Sequence, residues 1–454
     1  MPNNSTFCPI PWMFQAVRNN GDVRICCQAN VTKNQGVVRH VDGTSYNAGK
    51  HDMKEARTAD FMNVVRKNML NGVWSDECGR CKKEEESGLR SRRQYEQHWD
   101  FKIEDALKVT KPDGSINPDD VPLVYYDLRF GNLCNLKCRM CGPTDSSMWY
   151  DEQVKLWGDT YKDSHGTVKL VPNAKGKHVP EVNVYDWHES ESYWEQMENH
   201  IPHIKKLYIV GGEPFMIDQH YAFLQKCVDQ GYAKDMIVEY NSNITNIPQR
   251  AWDIWKHFRR IGIGASIDAI GDLNYYIRYP SHFKKIWENL NKLSNAEGNF
   301  KIWYATTISV YNVYTLPEML EFIIKNTLPR VNDDDMKPIM SPHPLHGPHF
   351  LNIRMLPKKV KDKIANKFED SKENLDNIID ECIADESRNT ASKEQMRKIL
   401  DTYKEFMYAK DMSASIPKFW EHTRKLDAIR GHKFEDYCPE IYELLKEYEN
   451  EATP

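Results

Sequence analysis

The sequence holds 454 residues, 40% hydrophobic and 11% aromatic, with 61 Lys and Arg against 66 Asp and Glu for a net charge of -5. That length allows two or three domains of ordinary size, and the charge balance excludes a polycationic nucleic-acid binder while leaving a local basic groove open. No apolar run reaches the roughly 18 residues of a membrane-spanning helix, and MPNNSTFCPIPW has neither the basic nor the apolar stretch of a secretory signal, so a cytoplasmic protein without a membrane partner is expected.

Residues 1–100 carry five of the eleven cysteines, Cys8, Cys26, Cys27, Cys78 and Cys81. In a reducing compartment these are free thiols or metal ligands rather than disulfides. The first helical stretch is FMNVVRKNMLNGV at 61–73, and a charged helix is expected after Cys81, through KKEEESGLRSRRQYEQHW. Residues 101–121 contain KPDGSINPDD, whose Pro, Gly and Asp read as a linker.

From 121 to 356 short apolar strands alternate with helices. The strands are expected at 121–130, 205–210, 236–242, 261–268, 301–310 and 349–356, with helical segments such as MIDQHYAFLQKCVDQ, IPQRAWDIWKHF, PSHFKKIWENLNKLS and TLPEMLEFIIKN among them. This alternation predicts an α/β protein with a parallel sheet, and six such strands suit a barrel or partial barrel. An insertion at 144–200, rich in Trp, Tyr and His, interrupts it as a lid or substrate wall. Residues 357–454 read as charged helices with solvated faces.

Cys134, Cys138 and Cys141 follow the first of these strands with spacing C-x3-C-x2-C. Three thiolates on one loop can converge on a metal centre. A [4Fe–4S] cluster held by three cysteines keeps one iron open to a ligand; a zinc ion with a fourth ligand from elsewhere is the alternative. The next strand ends in Gly211-Gly212-Glu213-Pro214, where two glycines let backbone approach a ligand closely.

CNLKCRMC followed one strand later by GGEP resembles the radical S-adenosylmethionine (SAM) superfamily, over about residues 121–356. The resemblance implies a partial (β/α)6 barrel with a [4Fe–4S] cluster on Cys134, Cys138 and Cys141, and SAM chelating the open iron. It places Gly211, Gly212, Glu213 and Pro214 along the methionine end of SAM. Asn243 in YNSNIT, Ser266 and Asp268 in ASIDA, Arg278 in YYIRYP, and Thr307 and Asn312 at the fifth strand match further SAM-pocket positions. One departure is Met140, where relatives often carry an aromatic residue before the last cysteine; a thioether can fill that place.

In the N-terminal region Cys8, x12, Gly21, x4, Cys26 and then Cys78-x2-Cys81 could together ligate a cluster or a zinc ion fully. This pattern resembles the twitch half of SPASM/twitch domains and implies an auxiliary [4Fe–4S] cluster on Cys8, Cys26, Cys78 and Cys81. Such domains usually follow the barrel, whereas this one precedes it, and Cys27 is an alternative to Cys26. His343, His346 and His349 stand at intervals of three, but the Pro and Gly between them keep them off one helix face. The function implied is reductive cleavage of SAM and hydrogen-atom abstraction from a peptide, protein or small-molecule substrate, with a flavodoxin or ferredoxin as electron donor. A nucleotide, tRNA or sugar substrate, and a non-enzymatic iron–sulfur or zinc scaffold, are the alternatives. No residue stands out as a substrate acid or base.

Overall fold

A computed structural model describes residues 5–29, 36–88, 90–163, 166–328, 330 and 340–449. Its strands, in chain order, are β1 Phe14–Val17, β2 Val23–Arg24, β3 Tyr125–Phe130, β4 Thr160–Asp163, β5 Gly166–Pro172, β6 His178–Pro180, β7 Lys206–Gly211, β8 Ile237–Ser242, β9 Arg260–Ala265, β10 Phe300–Tyr304, β11 Thr307–Ile308 and β12 His343–Pro344. The result is a mixed α/β structure around a seven-stranded sheet of order β10-β9-β8-β7-β3-β1-β2. Every neighbouring pair in it is parallel except β1 with β2.

Period-two side-chain alternation divides the sheet into two unlike faces. Tyr126, Leu128 and Phe130, with Leu207, Ile209, Val238, Tyr240, Ile261, Ile263, Ile302 and Tyr304, point into the main apolar core. Asp127 and Arg129 of β3, Tyr208 of β7 and Asn241 of β8 lie on the opposite, polar face, in register with one another. Crossover helices Asp218–Asp229, Gln249–Trp255, Phe283–Ser294 and Leu316–Lys325 follow the apolar periodicity of the sequence.

One buried group in that core is expected to make the fold acid-sensitive. His220 packs with Phe130, Tyr221 and Tyr240, and burial pushes its imidazole down to about 3. Its neutral form stabilises the fold above the unfolded-state pKa of about 6.5, and that stability drains away as pH falls toward the folded value. Chemical denaturation of His220→Phe at pH 6.5 and pH 4 is therefore expected to show on the order of 2–3 kcal/mol less acid-induced loss than wild type.

Three expectations are corrected. The sixth strand does not occupy 349–356, which forms two 3-10 turns, His349–Leu351 and Ile353–Met355. Asn352, between them, accepts the Arg354 N–H at 2.9 Å through its side chain and so caps the second turn instead of extending. The sixth parallel position is filled earlier, where Met340 bridges Tyr304 and β12 pairs with β11. The charged helix after Cys81 is broken into Gly79–Glu86 and Arg92–Tyr95: Gly88 takes φ +75 and Ser91 opens a new capping box. The expected linker at 101–121 holds the helix Ile103–Val109, and its stretch 111–120, though largely exposed, is anchored at the buried Gly114 and Ile116. Arg66 Nε donates to the Gly114 carbonyl at 3.1 Å, and a Cβ at Gly114 would lie 1.9 Å from the Asn63 carbonyl oxygen. Finally, β1 was not foreseen, because FQAV is a short apolar run without alternation; it brings the cysteine-rich N-terminal region into the large sheet.

The insertion carries the antiparallel sheet β4-β5-β6 and helices Tyr150–Trp157 and Glu191–Glu198. The C-terminal region is helical, with Lys358–Cys382, Glu386–Tyr408, Ile416–Arg430, Phe434–Tyr437 and Pro439–Leu445. Among the described residues no helix is long and apolar enough to cross a membrane.

Candidate functional site

The C-terminal ends of the parallel strands bring most of the singled-out residues to one edge of the sheet. β3 leads into the loop of Cys134, Cys138 and Cys141; β7 ends at Gly211 and continues through Gly212, Glu213 and Pro214. Asn243 follows β8, Ser266 and Asp268 follow β9, Thr307 opens β11, and Asn312 lies beyond it. Strand ends at this edge have backbone groups without ladder partners, which is why parallel α/β sheets bind ligands there.

The cysteine loop is tied down along its length. The N–H groups of Lys137 and Arg139 donate to the carbonyls of Tyr279 and Ile277, each at 2.8 Å. Trp149 donates its indole N–H to the Cys138 carbonyl at 3.0 Å. Cys134 Sγ accepts the Leu136 N–H at 3.4 Å. Arg139 is fully buried: its Nε donates to the Tyr276 carbonyl at 2.9 Å, its plane lies 3.4 Å over the Tyr276 ring, and Nη2 bonds the Asp427 carboxylate. Arg430, on the same helix as Asp427, pairs with Glu152 at 2.7 Å, and Glu152 with Lys137 at 2.6 Å.

The C-terminal helix thus grips the loop from behind, a role the sequence reading missed when it took these helices as solvated. The signal was present. Phe419, Thr423, Asp427 and Arg430 recur at the spacing of one buried helix stripe, and two of the four are charged.

Burial pushes the Cys134 thiol up to about 12. Cys138 is held low by a hydrogen bond from Cys141, against its burial and beside Arg278 and Arg430. Buried, protonated thiols of this kind release their protons on taking a metal.

Gly211 and Gly212 are needed where backbone meets backbone. A Cβ at Gly211 would lie 2.7 Å from Phe130 N, and one at Gly212 would lie 2.3 Å from the Leu133 carbonyl oxygen. The Glu213 N–H donates to that same Leu133 carbonyl at 2.8 Å. Gly212→Ala is expected to push the loop away, at about 1–3 kcal/mol of overpacking, with a lower melting temperature and less iron retained per chain.

Pro214 opens the short turn Pro214–Met216. Glu213 Oε2 accepts the Asn243 N–H at 2.8 Å, while Oε1 accepts the Ser242 hydroxyl at 2.7 Å and the Phe215 N–H at 3.2 Å. Burial raises this carboxyl to about 7. Asn243 donates to Asn135 Oδ1 at 2.9 Å, joining the end of β8 to the cysteine loop. The next residue, Ile244, has φ +46, a left-handed conformation that strains a β-branched residue. Asn289 holds it by donating to the carbonyls of Ile244 at 2.7 Å and Thr245 at 3.1 Å.

The last residues of the set brace the ends of β9 and β11. Ser266 donates its N–H to the Ser242 carbonyl at 2.9 Å. Asp268 and Arg278 form an ion pair at 2.7 Å, and Asp268 Oδ1 accepts the Thr307 N–H at 2.7 Å. Burial works against the charge of Arg278, but the Asp268 carboxylate outweighs it and its pKa is raised. Asn312 donates to the carbonyls of Asp268 at 2.8 Å and Thr307 at 2.9 Å and accepts the Ser309 N–H at 2.7 Å, so its amide is fully engaged by backbone.

Cys8, Cys26, Cys78 and Cys81 line one cavity of about 460 Å³ (open solvent included), together with Ile10, Met69, Arg92 and Arg93. Burial pushes Cys78 up to about 12 and raises Cys8 and Cys81 as well. Cys26 Sγ accepts the Gln28 N–H at 3.3 Å. Cys27 does not line the cavity; its thiol is hydrogen-bonded to that of Cys26 and lies within electrostatic reach of Arg92, Asp127 and Arg129.

Among the described residues no three His, Cys, Asp or Glu side chains close on a single metal ion, and that includes His343, His346 and His349. A four-iron cluster takes each thiolate on a different iron and spans more than one ion does. The donor chemistry fits such clusters: three thiols on one loop leave an iron open, four thiols around a cavity close one, and each group has a backbone N–H directed at a sulfur.

No protein-family model and no curated protein matches the chain. Among solved structures it is similar to Streptococcus suis SuiB bound to S-adenosylmethionine, at 16% identity over 62% of this chain and 57% of that one, with a TM-score of 0.29. It is likewise similar to SuiB bound to precursor peptide SuiA, at 15% identity over 62% and 57%, TM-score 0.29, and to SuiB itself, at 14% identity over 64% and 56%, TM-score 0.28. The chain spans less than two thirds of those chains, and a likeness of this order carries no functional argument.

Proposed function

We propose that the chain is a radical SAM enzyme that abstracts a hydrogen atom from a peptide substrate. The observation that carries this reading is the meeting of the Cys134, Cys138 and Cys141 loop with the Gly212–Glu213 turn and Asn243 at one edge of a parallel sheet. A [4Fe–4S] cluster on the three cysteines, with SAM, would supply one-electron chemistry: reductive cleavage of the sulfonium to a hydrogen-abstracting 5′-deoxyadenosyl radical.

The chain's own residues supply place and shelter. The loop ties fix the three thiols, and Gly211 and Gly212 allow β7 to close against the loop. Glu213 orients the end of β8 through the hydrogen bonds it accepts from Ser242 and Asn243. Asn243 and Ser266 line the edge as the SAM contacts, while Asp268, Arg278 and Asn312 hold the ends of β9 and β11 in register. Cys8, Cys26, Cys78 and Cys81 would hold an auxiliary [4Fe–4S] cluster in a twitch-like arrangement, which supports the choice of Cys26 over Cys27 as ligand. A flavodoxin or ferredoxin is the fitting donor, and the large sheet, continued past β10 by the Tyr304–Met340 bridge and the β11–β12 pair, is read as a partial barrel.

The test is anaerobic reconstitution followed by incubation with SAM and a low-potential reductant. Formation of 5′-deoxyadenosine supports the reading; zinc in place of iron, with no cleavage, overturns it.

A further inference from the structure

The polar face of the sheet carries charge that the structure leaves unmet. Asp127 of β3 is 1% exposed, yet neither carboxylate oxygen has a hydrogen-bond partner among the described residues. A buried carboxylate in that state is costly. Its ion partner is Arg129, whose Nε stands 3.7 Å away, beyond hydrogen-bond range. The Arg129 side chain is 38% exposed. It stands one residue before the end of β3, at the edge where the cysteine loop begins, with Cys27 and Asp145 within electrostatic reach.

Two further arginines crowd the same place. Arg18 follows β1 and Arg24 ends β2, and both are on the side of Arg129: the charge on Arg24 is disfavoured by burial and then by Arg18 and Arg129. Arg18 Nη1 and Arg24 Nε are buried without hydrogen-bond partners. Three guanidiniums therefore gather at the end of β3, where the carboxylates of Asp127 and Asp145 also lie, and the side chain of Arg129 stays open to solvent. The position, beside Cys27 and at the strand end from which the loop of Cys134, Cys138 and Cys141 departs, is where a substrate of the proposed reaction would lie.

We propose that Arg129 is a substrate-binding residue that grips a carboxylate, with Asp127 beneath it as the residue that positions the guanidinium. The planar fork of an arginine matches the two oxygens of a carboxylate. A phosphate dianion would set a second negative charge against Asp127. The carboxylate belongs either to an acidic residue within a peptide or to a free amino acid. The location borrows from the enzymatic reading above; the binding chemistry stands on the arginines alone.

The test uses the reconstituted full chain and three probes: N-acetyl-L-glutamate methylamide, its neutral isostere N-acetyl-L-glutamine methylamide, and free L-glutamate. Affinities are read by ligand-observed NMR, with iron content and SAM affinity measured in parallel. Wild type is expected to prefer an acidic probe over the neutral one by about tenfold or more. Arg129→Gln abolishes that preference and Arg129→Lys keeps part of it. Asp127→Asn lowers the preference while leaving the affinity for the neutral probe as it was, which a general loss of structure would not do. The tighter of the two acidic probes identifies the source of the carboxylate.

An unchanged preference in Arg129→Gln overturns the proposal, as does the absence of any preference in wild type. So does a fall in its iron content or SAM affinity, which would make Arg129 a counter-charge of the cysteines or a SAM contact. Failure of the iron–sulfur reading is separate: it shows as a wild type without iron, whatever the probes do.

Discussion

Replacing Cys134, Cys138 and Cys141 together by alanine is expected to halve the iron of the reconstituted protein, from about eight to about four atoms per chain, and to abolish SAM cleavage. The remaining half would belong to the proposed cluster on Cys8, Cys26, Cys78 and Cys81, which line a cavity of their own. The chain should still fold, because the loop is fixed by groups other than its thiols: the Lys137 and Arg139 N–H bonds, the Trp149 indole and the Arg139–Asp427 pair. Circular dichroism alongside the iron assay separates loss of a cluster from loss of the fold. Iron unchanged in the triple variant would remove the loop from the list of ligands.

Asp427→Ala is expected to destabilise the protein by about 3–5 kcal/mol, the usual cost of stripping one partner from a buried ion pair. Arg139 would keep its charge with no exposed surface, retaining the Tyr276 carbonyl and ring as neighbours and losing its carboxylate. Because Arg139 lies between Cys138 and Met140, the damage should reach the metal: iron per chain should fall although no thiol is touched. Anaerobic urea denaturation reads the first effect and an iron assay the second. Replacing both partners by hydrophobic residues, as in Arg139→Met with Asp427→Leu, should recover much of the stability, since it is the unpaired charge that is costly.

The alternating strands and helices were legible because each carries its period locally. The strand at 125–130 and the helix at 218–229 can be read from a few residues alone. The strand expected at 349–356 failed because its apolar residues are buried in successive turns, where Asn352 caps in place of extending. The cysteine groups were legible as spacing, and the structure brings residues 8, 26, 78 and 81 to one cavity. What spacing could not show was the other side of each contact. Glycines 211 and 212 face Phe130 and Leu133, the carboxamide of Asn312 faces backbone, and the loop leans on Asp427, nearly three hundred positions away along the chain. Such pairings belong to the packed state and leave no local period.

The parallel pairing of β1 with β3 has a consequence for how the molecule is assembled and inherited. β1 emerges during synthesis long before β3 does, and until then its only sheet partner is the two-residue β2. A strand waiting in this way presents open N–H and C=O groups to any passing chain until β3 is made. The same seam blocks recombination. A gene segment ending before β3 would carry five cysteines and a raw edge, and one beginning at β3 would expose that edge from the other side. The two cysteine groups are therefore joined through one sheet rather than carried on separable modules.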